Sequence, residues 1–404
     1  MPTVVESPEV FDLLAELTTL VGREDPYPRY RRLRDISPVV RAPDGALVVT
    51  RYADCTTVVR DGRLGHIPTH MLGFLGLGDW IEHPALRQLF TSILTINPPD
   101  HTRLRRLVSG TFTARRVQSL EPAIEAMVED LLDSFGDEAD FIDAFAFPLP
   151  VNVIGELLGV PAADRAQFQT LVRDWTSVLD VITPQVLEKA DPAAAAIREY
   201  LAALAAERRR KPAADLISAL VAAEEQGDRL TEDELLTMAG LLFAAGFETT
   251  SNLLANGLVA ALRNPEQIGF LAVDPAGSVE ELIRYDSPVQ LLSRVVYEPV
   301  ELGGVTVEAG ERVVAYLGAG NRDPERFAEP EKLNLARADN APLSFGGGIH
   351  YCLGAPLARL EARIAFPALW KRFPDLALAG EPERRDSLSI RGYTRLPLRI
   401  QRET

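Results

Sequence analysis

The hydrophobic positions of this chain follow two periods, and the helical one dominates. Between residues 114 and 262 apolar side chains recur at helical spacing, as in Ile124, Met127, Val128, Leu131 and Leu132. The alanine-rich stretch 193–206 predicts one helix. The longest predicted helix opens at Thr231, where Glu234 completes a capping box, and closes at Asn264-Pro265, because proline disfavours helix in the residue before it. At ~1.5 Å per residue it is roughly 50 Å long. Its middle, residues 239–246, is apolar on every side, which predicts burial rather than a surface stripe. Short β-branched runs predict a hairpin over residues 39–49 around Pro43-Asp44-Gly45, and strands at 296–301, 305–307 and 312–316. The pattern as a whole predicts a mainly α-helical protein with small β-sheets.

No linker interrupts the 404 residues, so one large domain is expected. With 47% hydrophobic and 25% charged residues, the chain can bury a sizeable core. A formal charge of −16 argues against nucleic acid as a partner, since phosphate binding needs a basic face. The amino end carries Glu6, Glu9, Asp12 and Glu16 and lacks the order of a signal peptide; no window offers the ~18 apolar residues of a membrane span. A cytoplasmic protein without a membrane partner is expected. The two cysteines, Cys55 and Cys352, have no CxxC spacing, which argues against a disulfide framework, a zinc ribbon or c-type haem attachment.

Chemistry concentrates in Phe345-Gly346-Gly347-Gly348-Ile349-His350-Tyr351-Cys352-Leu353-Gly354, which runs into Ala355-Pro356-Leu357-Ala358, a helix start with proline in its first turn. A cysteine there lies at a helix N-terminus, where unpaired N–H groups favour the thiolate that ligates metal. The glycines allow close approach of a flat ligand. On composition alone, a buried small cysteine beside a flexible loop fits equally well; a phosphate loop fits less well, because no Gly-Lys-Ser/Thr follows.

The segment resembles the haem-binding loop of the cytochrome P450 family, Phe-x-x-Gly-x-His-x-Cys-x-Gly, with Phe345, Gly348, His350, Cys352 and Gly354 at its fixed positions. The resemblance implies haem b, with Cys352 as the axial metal ligand and His350 as a donor to a propionate. A thiolate pushes electron density onto iron and favours O–O cleavage. Ala245-Gly246-Phe247-Glu248-Thr249-Thr250 is similar to the family's oxygen-binding motif, in which the helix opens locally. There Thr249 would help bind dioxygen and Glu248 would relay protons, with Glu standing where many relatives have Asp. Without that resemblance, Thr249 bonded to the Ala245 carbonyl and Glu248 in an ordinary ion pair is the plainer account.

Glu281 and Arg284 match the family's structural Glu-x-x-Arg pair, for which residues 321–337 offer Lys332 or Arg337 as the third member; Arg337 is the expected one. His101 and Arg105 lie four apart on a helix begun after Pro98-Pro99 and, with Arg294, are expected to hold the buried haem propionates. The resemblance runs from about Pro26 to the carboxyl end, its motifs in the family's order.

Residues 66–90 resemble the loop that lids the pocket, and Leu242, Ala245, Val289, Leu291, Leu292 and Tyr393 are candidate pocket residues for a small apolar organic substrate. No flavin or nicotinamide fingerprint occurs, so electrons are expected from a ferredoxin and its ferredoxin reductase. Arg103, Arg105, Arg106, Arg115, Arg116, Arg359 and Arg363 form a candidate docking patch. Expected is a monooxygenase that uses O2 to hydroxylate or epoxidise a secondary metabolite such as a polyketide or macrolide, with xenobiotic or terpenoid oxidation as the nearest rival. A non-catalytic recruitment relative would lack the cysteine or its accompanying donors, and a peroxide-driven enzyme typically lacks the Glu248 and Thr249 pair.

Overall fold

The computed structural model describes residues 4–179, 182–225 and 228–400. They divide into two compact units, the first built from residues 4–66, 252–352 and 373–400, the second from 67–251 and 353–372.

The first unit is organised by a five-stranded sheet. Val39–Arg41 and Leu47–Val49 pair antiparallel, and Leu47–Val49 runs parallel to Arg312–Ala315. That strand pairs antiparallel with Leu292–Val296, whose far side takes Leu64–Gly65. Gly45 turns the predicted hairpin at φ +84°, in the left-handed region open to glycine. Strand alternation sorts the side chains. Val39, Leu47, Val49, Val313 and Ala315 pack with Cys55 and Val58 of the helix Tyr52–Arg60, while Val40 and Val48 pack with Val10, Leu14, Tyr30 and Leu33 of the helices Pro8–Leu17 and Tyr27–Ile36. Each such fully buried aliphatic side chain stabilises by about 1.5–3 kcal/mol relative to exposure. The strand expected at 296–301 is instead two, Leu292–Val296 and Val300–Leu302. Residues 297–299 leave the ladder between them, and Pro299 has no N–H to give it.

The second unit is helical. The helix Ala162–Thr176 packs along Pro184–Arg210, which extends the predicted 193–206 helix at both ends and contains Pro192. Ala355–Arg372 packs on Glu121–Asp133. The long helix spans Glu232–Leu262, its residues from Asn252 onward belonging to the first unit. Its capping box closes as the sequence predicts: Thr231 N donates to Glu234 Oε2 at 2.8 Å and Glu234 N to Thr231 Oγ1 at 3.2 Å. Phe243 and Phe247 fix it edge-on to Phe168 and Phe147, with ring centroids 5.0 and 4.1 Å apart. Residues 67–90 are largely helical rather than a plain loop, with turns of tight helix at Thr69–Leu75 and Trp80–Glu82 and an α-helix at Pro84–Phe90 started by its proline. Among the described residues, no single helix is long and apolar enough to cross a membrane.

Candidate functional site

The two cysteines occupy opposite environments. Cys55 is buried between sheet and helix, its thiol directed to the carbonyls of Val49 and Tyr316 at 3.6 Å, and burial pushes its ionisation far above the usual thiol range. Cys352 is exposed. Its N–H donates to Phe345 O at 3.0 Å, which folds residues 345–352 back on themselves, with Gly346 N donating to Leu343 O at 2.7 Å. Gly346 and Gly348 have φ of +69° and +59°. A Cβ on Gly348 would stand 2.7 Å from Val59 O, so the loop's seat on the helix Tyr52–Arg60 requires glycine. Cys352 precedes the helix Ala355–Arg372 by three residues, and Gly354 O accepts that helix's first bonds, from Leu357 N and Ala358 N at 3.0 Å.

Within the same unit Arg294 is buried, 7% exposed, on the strand Leu292–Val296. It donates to the Ser293 carbonyl at 2.8 Å, no acid among the described residues pairs with it, and burial pushes its ionisation down to about 10. A buried guanidinium without a carboxylate is a donor in need of an anion. Of the pocket candidates, Val289 is brought beside residues 389–391: it bridges Ile390, while Gln290 N donates to Ser389 O at 2.9 Å and Arg391 N to Pro288 O at 2.7 Å. Val289 and Leu292 pack on the face of the sheet that carries Cys55, whereas Leu291 packs with Val10 and Tyr30 in the other core cluster. Tyr393 is buried with the Arg384 guanidinium 3.9 Å from its ring centroid.

Two buried acids anchor this unit. Arg284 grips Glu281 with two bonds, of 2.7 and 2.8 Å. Arg337 Nε lies 3.0 Å from the same carboxylate, to which Asn340 Nδ2 and Asn334 N also donate at 2.9 Å. Lys332 directs its amine to Glu329 at the surface and contributes only its carbonyl, which accepts from Arg284 Nη2 at 3.2 Å. The second acid, Asp286, escaped the sequence analysis. It is bound by Arg391 Nε at 2.6 Å, Tyr27 Oη at 2.7 Å and Arg384 Nη2 at 3.1 Å. Burial alone would raise its carboxyl, but Arg391 and Arg384 outweigh that and hold it well below the usual carboxylate range.

In the second unit, the long helix is buried over residues 239–244, while Ala245, Gly246 and Thr249 are half-buried on one face; Leu242, 8% exposed, lies one turn before them. The helix is unbroken through 245–250, where the family motif led to an expected opening. The perturbation is confined to a side chain: Thr249 Oγ1 donates to Ala245 O at 3.0 Å, the plainer alternative considered above. Glu248 is buried and takes a 3.4 Å bond from Thr176 Oγ1. His101 is buried on the helix Asp100–Ser109, with Arg105 one turn later on the same face; burial and then the Arg105 charge push its imidazole below the usual range.

The basic patch needs one correction. Arg103 is engaged by Asp228 and Glu234, so it is not available for docking. Arg106 and Arg115 are exposed, and Arg116, Arg359 and Arg363 are half-buried on the mutually packed helices Ala114–Gln118 and Ala355–Arg372. Two further residues carried no sequence signal. His83, at the head of the helix Pro84–Phe90, bonds Asp191 at 2.7 Å and thereby ties residues 67–90 to the helix Pro184–Arg210; that bond raises its ionisation above the usual range. Glu361 is wholly buried, its carboxyl held well above the usual range by burial.

The donor set suits a haem: an exposed thiol on a glycine loop and a buried cation lacking an acid. The cytochrome P450 family profile matches residues 78–268 and 277–400. The chain is 43% identical to Cytochrome P450 107B1 of Saccharopolyspora erythraea over 97% of this chain and 98% of that protein. It is 39% identical to the Polyketide biosynthesis cytochrome P450 PksS of Bacillus subtilis over 93% of this chain and 96% of that relative. The crystal structure of P450BioI in complex with an acyl carrier protein carrying hexadec-9Z-enoic acid matches with a TM-score of 0.86 at 35% identity, over 94% of this chain and 99% of that one. Alignment along nearly the whole length of such relatives makes this chain a member of the cytochrome P450 family, a haem-thiolate monooxygenase with iron protoporphyrin IX as cofactor.

Proposed function

We propose that this enzyme is a single-domain cytoplasmic monooxygenase that hydroxylates or epoxidises a polyketide or macrolide, with electrons delivered by a ferredoxin and ferredoxin reductase. For hydroxylation the balance is R–H + O2 + two electrons + two protons → R–OH + H2O. The observation that carries the reading is Cys352, exposed on the glycine loop of a chain that belongs to this family. Bound haem supplies activation of dioxygen, tuned by its thiolate ligand. Cys352 would be the metal ligand, with Phe345 and Gly354 framing its loop. His101, Arg105, Arg294 and His350 would donate to the propionates. Thr249 orients water beside the oxygen site and Glu248 passes protons towards it. Leu242, Ala245, Val289, Leu291, Leu292 and Tyr393 exclude water from an apolar substrate; Glu281, Arg284 and Arg337 hold the frame. Electrons enter over the face carrying Arg106, Arg115, Arg116, Arg359 and Arg363, which suits an acidic donor.

The substrate class is supported by the relative whose name places it in polyketide biosynthesis. The test has two stages. The reduced protein with carbon monoxide is expected to show the red-shifted band of a thiolate ligand, lost in Cys352→Ala; protein that takes up no haem overturns the reading. Spin-state titration is then expected to respond to macrolactones. A response confined to terpenoids or small xenobiotics overturns the substrate class.

A further inference from the structure

We infer that His66 is a further donor, beside Arg294 and His350, to a propionate carboxylate of the haem, and thus a positioning residue for the cofactor that lies outside the haem-loop, oxygen-site and propionate motifs quoted above. The inference rests on the haem reading just given. Its first support is strand register. Leu64 faces Val296 and Gly65 faces Val295 in the antiparallel pair at the sheet edge. One step further along that register sets His66 opposite Arg294, and residues opposite one another present their side chains to the same face. That face begins apolar, with Leu64 and Val296 in the core, and ends basic.

The second support is the cysteine loop. The His66 ring meets the His350 ring edge-on, with centroids 4.6 Å apart and planes at 78°. Both partners are held in place by backbone. Tyr297 Oη donates to His66 O at 2.8 Å, and Tyr297 N donates to Arg63 O at 2.8 Å. Gly348, two residues before His350, is seated against Val59 and Arg60, at the end of the helix that leads into residues 64–66. Sheet register and loop seat therefore converge three basic side chains within the first unit, and Arg294 among them is buried with no acid paired to it among the described residues. Such a group calls for an anion, and a planar carboxylate accepts from several N–H donors at once.

The same chemistry would fit a substrate acid, and haem loss separates the two because it is measured with no substrate present. The experiment follows transfer of haem from the intact holoenzyme to an excess of a haem-scavenging apoprotein. His66→Phe keeps an aromatic edge against His350 but removes the N–H, and is expected to lose haem about tenfold faster than wild type, the worth of one hydrogen bond to a charged group. His66→Gln restores an N–H and is expected to recover most of the difference. A His66→Phe enzyme that loses haem at the wild-type rate, or a His66→Gln enzyme that loses it as fast as His66→Phe, overturns the inference. Either result leaves the haem reading standing, because that reading fails only if wild type takes up no haem, an outcome that overturns both.

Discussion

Glu281 and Asp286 stand five residues apart, each a buried acid held by two arginines, yet only one of them is visible in the sequence. Glu281 meets Arg284 within one helical turn, so spacing alone suggests the pair, to which Arg337, Asn334 and Asn340 are added from a distance. The Asp286 carboxylate draws its partners, Tyr27, Arg384 and Arg391, from remote stretches of chain. The difference teaches that the range of a contact, not its energy, decides whether it can be read from a sequence. Both clusters are buried ion pairs, in which removing one partner strands the others.

Substitutions can break or sharpen that comparison. Glu281→Ala is expected to be the most damaging, since it leaves Arg284, Arg337 and two further donors without their acceptor; a loss of about 5 kcal/mol, the upper end for an unmatched buried charge, should appear in urea unfolding as little or no folded protein. Asp286→Asn keeps the shape and removes the charge, for which about 3 kcal/mol is expected. It also carries a pH signature. Because the folded carboxyl ionises below its unfolded value, its stabilisation is fully present above roughly pH 4 and is lost as pH falls through the folded value. Acid unfolding of the wild type should therefore steepen below pH 4, and Asp286→Asn should flatten that limb. An equal slope in both would mean that the remote cluster contributes nothing through its charge.

Arg337→Lys tests the third partner of Glu281. A lysine cannot keep both the carboxylate bond and the bond that Arg337 Nη1 donates to Ala328 O, so a loss of about 1–2 kcal/mol is expected by thermal unfolding. Lys332→Ala is the smallest, within about 0.5 kcal/mol, because its ion pair with Glu329 is an exposed one. Should Lys332→Ala prove the more damaging of the two, the assignment of Arg337 to the Glu281 cluster would be reversed.

How much was legible follows the same division. The hairpin at 39–49, the helices and the capping box of the 232–262 helix were legible because turn chemistry, periodicity and caps act within a few residues. The break between Val296 and Val300 and the helical content of residues 67–90 were not, since the first depends on where a neighbouring strand ends and the second on packing that short segments need in order to fold. The unbroken helix at 245–250 shows the limit of motif transfer: a threonine in that setting bonds its own helix without opening it.

By itself the sequence determined the cysteine loop, with its order of phenylalanine, glycines, histidine and cysteine, because those residues form one continuous segment whose chemistry is local. Only the tertiary structure decided that Cys55 is an inert buried thiol, that Arg103 is spoken for by acids and that Asp286 binds three distant partners. It also set the His66 ring edge-on to the His350 ring of the cysteine loop. Those are outcomes of burial and strand register, which arise only when remote stretches of chain pack, and no local pattern encodes them.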